Sequence, residues 1–230
     1  MEWAAGLVVA VLGGLSGLLV PLLIGAVPEP EPNPDEAAGD FPDKIPYADL
    51  ATRHGLALRC VLAGAVTGAA IGLSLGWSWG LLWLVPLIPV GLALAVIDYA
   101  TWYLPTALIA PAYIVVAVLV GLVALLDHRL GIAVWAGVGY VGLGGYYGLM
   151  WLVSPRIMAF GDVRLGALIG LAIGPFGALT LFASVFIAAL VGVLALIPLN
   201  RAGNSIKRRV PFGPFLLIGA LLAVVVGQVA

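Results

Sequence analysis

The sequence contains few charged residues, one cysteine and two histidines. Only 9% of its 230 residues are charged, whereas a soluble domain carries about a quarter. Hydrophobic residues make up 63% of the chain, and the mean hydropathy is +1.18. This composition excludes an ordinary soluble domain. It predicts an all-α integral membrane protein that forms one bundle, and no nucleic acid is expected as a partner.

The cysteine content limits the chemistry that the chain can perform. Cys60 is the only cysteine, which excludes an internal disulfide and any metal site built from several thiolates. We therefore expect neither a metal nor another cofactor. No secretory signal is expected either, because Glu2 stands where a basic stretch would be needed and the first apolar run leads directly into a polar loop.

Apolar runs long enough to cross a bilayer follow one another along the chain, and we predict about eight transmembrane segments. Residues 1–27 form the first segment. Residues 28–55 form an acidic, proline-rich loop, which we interpret as extended and solvated because proline at alternate positions disfavours a helix. Residues 56–230 form the membrane core. The further predicted segments cover about 56–75, 79–98, 104–126, 131–153, 162–174, 175–198 and 212–229.

The distribution of basic residues predicts the orientation in the membrane. If the N-terminus is outside, nine of the ten lysines and arginines fall on the cytoplasmic side, and only Arg129 falls outside. This is a strong positive-inside bias. We therefore expect a multi-pass protein of the cytoplasmic (inner) membrane. Its loops at 28–56, 99–103, 154–161 and 200–211 are expected to face the cytoplasm.

The segment that begins at Asp162 combines a carboxylate with a regular glycine pattern. Gly166, Gly170 and Gly174 follow at intervals of four residues, so all four positions share one helical face. Glycines in this arrangement let a neighbouring helix approach closely in a membrane. The 13 residues from Asp162 to Gly174 span only about 20 Å of helix, less than the ~30 Å hydrocarbon core. We predict a short, buried segment whose carboxylate lies at a helix–helix seam.

Asp98 and Asp162 are the only acidic residues at the ends of predicted membrane segments, and both fall on the cytoplasmic side. Two carboxylates at one depth suit aspartyl peptide hydrolysis, in which one is protonated, one is ionised and a water between them is activated. Proton or cation transport also uses paired intramembrane carboxylates. A third interpretation is structural, since an aspartate at a helix start, such as Asp162, is often an N-cap.

Three stretches of the chain resemble the type IV prepilin peptidases, which are membrane aspartyl proteases of the GxGD kind. They occur in the order expected for that family and bracket residues 98–220. The matching residues are Asp98, Leu104, Pro105 and Thr106 in VIDYATWYLPTAL, Gly161, Asp162, Arg164 and Leu165 in AFGDVRLGALIGLAIG, and Pro211, Phe212, Gly213 and Pro214 in VPFGPFLLIGA.

This resemblance implies that Asp98 and Asp162 are the catalytic aspartates, with the other matching residues supporting the active site. The implied reaction removes a short basic leader from type IV prepilins or pilin-like secretion subunits at the cytoplasmic membrane face. Prepilin peptides and membrane lipid are the implied partners. Two alternatives remain open. One is a presenilin-like intramembrane protease, although that family has Pro-Ala-Leu where this chain has Pro-Phe-Gly-Pro. The other is a proton- or cation-coupled transporter.

The chain departs from the family pattern at two places. Ala159 replaces the first glycine of GxGD, which would strain the loop if that position required a positive φ. Many members also carry two CxxC pairs after the first helix, in a domain associated with N-methylation. This chain has the acidic loop instead, so we expect a peptidase without that module. We hypothesise that the loop attracts basic leaders electrostatically, the alternative being a solvated remnant of the absent domain.

Overall fold

A computed structural model describes residues 2–30, 45–155, 158–201 and 211–229. Within these ranges the chain is helical and contains no strand, which confirms the predicted all-α class. The helices are α1 (Glu2–Gly17), α2 (Val20–Gly25), α3 (Tyr47–Ala51), α4 (Leu56–Leu75), α5 (Gly80–Thr101), α6 (Thr106–Leu126), α7 (Gly131–Val153), α8 (Phe160–Ile173), α9 (Ala178–Arg201) and α10 (Gly213–Val229).

Five stretches in the described ranges are long and apolar enough to cross a membrane. They are α1 continued by α2, then α4, α5, α6 and the residues of α9 from Ala178 to Ala195. Helix α10 is apolar over the shorter stretch Gly213–Gly227. Helix α7 has 23 residues, but its seven glycines and three tyrosines reduce its hydropathy. Helix α8 has 14 residues, and it begins at Phe160, two residues before the predicted start.

The glycine stripe of α8 packs against α7, as predicted for a helix–helix seam. A Cβ added to Gly170 would overlap the carbonyl group of Gly139, and one added to Gly174 would overlap the carbonyl group of Trp135. Gly166 lies under the ring of Tyr147. The two helices therefore touch through backbone atoms, which is possible only because side chains are absent at these positions.

A second glycine seam joins α1 to α4. A Cβ on Gly13 would overlap the carbonyl group of Gly64, and a Cβ on Gly17 would overlap that of Cys60. The opposing ladder of α4 continues through Gly68, which lies against the Val9 carbonyl group. Together these contacts show that the ladder of α4 is a packing surface. It holds the first membrane helix against the core.

Replacing Gly170 by leucine is expected to destabilise the protein, because the Gly139 backbone cannot move aside without separating α7 from α8. Overpacking of this kind costs about 1–3 kcal/mol or more. Thermal unfolding in detergent micelles measures the effect as a lower midpoint. Gly142→Leu on α7 is the matched control, since a Cβ there meets nothing within 4 Å. Equal midpoints for the two variants would contradict the seam described above.

The end of the acidic loop nearest α4 departs from the predicted extended, solvated conformation, because residues 47–51 form α3, whereas residues 28–30 have no regular secondary structure and Pro28 and Glu29 are exposed. Tyr47 and Leu50 of α3 are each only 2% exposed and pack beside Ile97 of α5. The backbone N–H of Tyr47 donates to the carboxylate of Glu29 and so closes the loop at its base. Burial raises the pKa of the Tyr47 hydroxyl, and nearby Tyr103 and Glu29 add to the shift. The predicted extended stretch from 31 to 44 lies outside the described residues.

Candidate active site

Asp98 lies in the last turn of α5 and is only 4% exposed. The helix ends at Trp102, which has a positive φ of 56° and whose N–H donates to the Asp98 carbonyl oxygen at 2.8 Å. This left-handed C-cap reverses the chain, and Pro105 then serves as the N-cap of α6 in an extended conformation. The motif after Asp98 thus provides a tight connection that holds the aspartate at one end of the bundle.

The backbone of Gly213, the first residue of α10, binds the Asp98 carboxylate. Its backbone N–H donates to Asp98 Oδ2 at 2.8 Å, although the two residues are 115 positions apart. An added Cβ on Gly213 would itself lie 2.8 Å from Oδ2 and 3.2 Å from the carboxyl carbon. Glycine is therefore needed here for a close approach and not for a positive φ. Because Gly213 begins α10, the carboxylate lies at a helix N-terminus, where negative charge is favoured.

Asp162 is 6% exposed and lies at the N3 position of α8. Its Oδ2 accepts the backbone N–H of Ala159, which is the N-cap residue, at 3.1 Å. The N-cap is therefore three residues before Asp162, and the interpretation of Asp162 as the N-cap was wrong. The Asp162 carboxylate instead accepts the N–H of the N-cap residue from within the first turn of the helix. Ala159 has φ −79° and ψ 151°, an extended conformation that alanine adopts without strain.

The two carboxylates are brought together at one end of the bundle. Asp98 and Asp162 lie within electrostatic range of each other. The side chain of Leu104, which is 4% exposed, lies beside both Gly161, the residue before Asp162, and Gly213, the donor to Asp98. It lies 2.9 Å from a Cβ built on Gly161 and 3.4 Å from one built on Gly213. The residue before Asp162 and the donor to Asp98 therefore contact the same leucine.

Arg164 connects the start of α8 to the start of α6. One guanidinium nitrogen, Nη1, donates to the hydroxyl of Thr106, and the guanidinium carbon lies 5.3 Å from the centre of the Phe160 ring. The Arg164 carbonyl oxygen accepts a hydrogen bond from the Tyr113 hydroxyl at 2.5 Å. These contacts fix the turn that carries Asp162 relative to the helix that follows Asp98.

Of the Pro-Phe-Gly-Pro residues, only Gly213 is seen to contact a carboxylate. Pro211 and Phe212 precede α10, and the Phe212 carbonyl oxygen accepts the N–H groups of Phe215 and Leu216 at 3.0 and 3.1 Å. Pro214 is the second residue of α10, where the missing N–H of proline costs nothing. The motif therefore starts a helix and points its first N–H at Asp98.

Tyr113 and Tyr147 belong to the surroundings of the site but were not predicted from the sequence. Tyr147 of α7 is 4% exposed, its ring covers Gly166, and it lies within electrostatic range of Asp162. Tyr113 of α6 binds the Arg164 carbonyl oxygen. A tyrosine inside an apolar helix needs a partner for its hydroxyl, which is the one sequence signal that could have drawn attention to them.

The described part of the chain contains no group of three or more His, Cys, Asp or Glu side chains that could hold a metal ion. The titratable groups at the centre of the site are the two buried carboxylates of Asp98 and Asp162. Each accepts a backbone N–H through Oδ2. The Oδ1 atoms are the carboxylate oxygens that these two N–H groups do not bind.

Comparison with known proteins gave one informative relationship. Over 151 residues the chain is 37% identical to a Pseudomonas putida protein named prepilin leader peptidase/N-methyltransferase. The aligned region is 63% of this chain and 50% of that protein, so the chain spans about half the length of the curated relative that it matches. No family model matches the chain. No solved structure matches it either. The relationship is distant and supports the prepilin peptidase family.

Proposed function

We propose that this protein is a membrane aspartyl endopeptidase that removes the short basic leader from type IV prepilins or pilin-like secretion subunits at the cytoplasmic membrane face. The observation that carries the proposal is the placement of Asp98 and Asp162. Both are buried, they lie within electrostatic range, and each is held by a backbone N–H near a helix N-terminus. The distant relative supports the choice of a prepilin leader as substrate through its name.

Two carboxylates held close together in a low-dielectric site share one proton, because like charges cannot both persist there. The ionised carboxylate accepts a proton from a water molecule as the water oxygen attacks the scissile carbonyl carbon. The protonated carboxylic acid donates its proton to the carbonyl oxygen. The resulting gem-diol then breaks its C–N bond, with one proton passing to the leaving amine and one returning to the pair. Water is thus added across the amide, and no other reactant is needed.

The surroundings of the pair favour a peptidase over a transporter. Apart from Asp98 and Asp162, every acidic residue of the chain lies at the terminus, in the loop at 28–49 or at Asp127 after α6. A coupled transporter needs a polar path that continues through the bundle. The residues one turn deeper from the pair, Leu94 and Leu165, are instead apolar and buried.

Co-expression with candidate prepilins tests the proposal. Each precursor would carry a C-terminal tag, and the mass of its N-terminal peptide would be measured with and without this protein. We expect the leader to be lost only when the protein is present, leaving a new N-terminus immediately after the basic stretch. A panel of precursors that keep their leaders in the presence of the well-expressed protein would refute the proposed function. Cleavage inside the apolar helix would favour the presenilin-like alternative.

A further inference from the structure

Tyr147 of α7 is a buried polar side chain that the peptidase chemistry described above does not use. It is only 4% exposed, and its ring lies against the backbone of Gly166 on α8. A Cβ built on Gly166 would overlap Cδ2 and Cε2 of this ring, so any larger residue at position 166 would displace it. The glycine therefore lets the tyrosine pack directly on α8, four residues beyond Asp162.

The packing of α7 on α8 places Tyr147 at the depth of the first turns of α8. The two helices run antiparallel, because Gly148 contacts Val163 and Gly144 contacts Ala167. Tyr147 lies between these two levels and is within electrostatic range of Asp162. Within the described ranges, its hydroxyl donates a hydrogen bond to no other protein group. A buried tyrosine hydroxyl usually has a partner, so this donor is available to a bound molecule.

Other donors near the two carboxylates are already engaged. The backbone N–H groups of Ala159 and Gly213 donate to the carboxylates themselves. Arg164 has a buried Nε without a partner, but its guanidinium group is bound to Thr106 at the start of α6. The Tyr147 hydroxyl is therefore the donor best placed to serve a substrate beside Asp162.

We propose that the Tyr147 hydroxyl donates a hydrogen bond to the oxygen of the scissile carbonyl group, which makes Tyr147 a third catalytic residue. This inference rests on the proposed peptidase function. A carbonyl oxygen has two lone pairs. The protonated carboxylic acid serves one of them, and the tyrosine serves the other. The phenol keeps its proton throughout, so the hydrolysis needs no further reactant. Its role is to stabilise the negative charge that develops on this oxygen as water attacks.

The relation between Tyr147 and Asp162 suits an atom that lies between them. The two side chains interact electrostatically, but no hydrogen bond joins them in the described structure. An oxygen of the bound substrate can lie within hydrogen-bond distance of both groups. Tyr147 and Asp162 are 4% and 6% exposed, and a fixed donor in such a water-poor site stabilises charge more strongly than water does.

Tyr147→Phe removes the hydroxyl and keeps the ring over Gly166. We expect an unchanged thermal midpoint, little change in KM and a kcat about 10- to 100-fold lower for a purified precursor in nanodiscs. The loss should be smaller than the 10²–10³-fold typical of an oxyanion donor, because the carboxylic acid still serves the same oxygen. Tyr146→Phe is the matched control, since Tyr146 is 43% exposed and contacts Tyr147 only edge to face, with 5.0 Å between ring centres. It should keep the wild-type kcat.

Two uncleavable peptide analogues test which atom accepts the hydrogen bond. Both carry the precursor sequence around the cleavage site. One has a hydroxyethylene group (–CHOH–CH2–) in place of the scissile amide, which keeps an oxygen at the carbonyl position, and the other has an ethylene group (–CH2–CH2–), which does not. Fluorescence anisotropy gives the Kd of each labelled analogue for the full-length protein in nanodiscs. Tyr147→Phe should weaken binding of the hydroxyethylene analogue about tenfold and leave that of the ethylene analogue unchanged.

The cleavage and binding results separate this proposal from the proposed function. If wild type removes the leader and Tyr147→Phe does so equally fast, or if the variant weakens both analogues equally, only the tyrosine proposal is overturned. Equal weakening would make Tyr147 a positioning residue for Asp162. If binding of the hydroxyethylene analogue depends on Tyr147 but no precursor is cut, the tyrosine proposal stands and the leader peptidase function fails. Wild type that neither cuts a precursor nor binds either analogue would overturn both.

Discussion

Asp98→Asn and Asp162→Asn should each lower the rate of leader cleavage by about 10³-fold or more. Removing either carboxylate leaves the pair without the shared proton that both steps require, and positioned general acid–base groups contribute 10²–10⁴-fold each. The folded structure should persist in both variants. An asparagine side-chain oxygen can still accept the N–H of Gly213 at position 98 or the N–H of Ala159 at position 162. The measurement is the initial rate of cleavage of a purified precursor in nanodiscs.

Asp127→Asn is the matched control for these two variants. Asp127 lies in the turn after α6, with its carboxylate 3.7 Å from Arg129, and has no contact with the pair. We expect this control to cleave at the wild-type rate. Thermal midpoints would be recorded for all three variants, so that a folding defect is not mistaken for a chemical one. Substantial activity in either Asp98→Asn or Asp162→Asn, at a normal midpoint, would show that the pair is not catalytic.

Gly213→Ala should lower kcat by about 10²-fold with little change in KM. The new Cβ would lie 2.8 Å from Asp98 Oδ2, so the carboxylate must move to make room for it. Misplacing a reacting group by about 1 Å can cost 10²-fold in rate. The backbone N–H remains in the variant, so the loss would report the position of the carboxylate rather than the removal of a hydrogen-bond donor. Steady-state kinetics with one precursor would give both constants.

Gly192→Ala on α9 is the appropriate comparison for Gly213→Ala. A Cβ on Gly192 would contact the rings of Phe212 and Phe215 at 3.5 Å, an ordinary distance, so this variant adds the same methyl group near the same motif without touching Asp98. We expect it to retain wild-type kcat. If both alanine variants lost activity equally, the loss would be caused by altered helix packing and not by the contact with Asp98. If neither did, the contact between Gly213 and Asp98 would not govern the reaction.

Hydropathy and residue spacing were enough to predict the class of the protein and most of its helices. The predicted segment 56–75 coincides with α4, and the glycine face of α8 packs against α7 as its spacing indicated. These features could be predicted because hydropathy and four-residue periodicity are local properties of the chain. In a bilayer an apolar run must also satisfy its own backbone hydrogen bonds, and a helix does so within a single segment.

The sequence also identified Asp98 and Asp162 as the candidate pair, because so few acidic residues occur near the membrane segments. It could not indicate how they are held. The positive φ that would have strained Ala159 does not occur, because the backbone there is extended. The alternative interpretation of Asp162 as an N-cap was wrong by three residues, since a boundary between loop and helix is poorly marked when the N-cap has no polar side chain.

The long-range contacts of the site could be identified only in the folded structure. Gly213 contacts Asp98 although 115 residues separate them, and Glu29 closes the acidic loop by accepting the N–H of Tyr47. No local sequence pattern predicts these contacts, because each depends on how separate segments of the chain pack together. Packing inside a membrane is governed by the fit between side chains and backbone rather than by hydrophobicity, and that fit exists only once the helices are assembled.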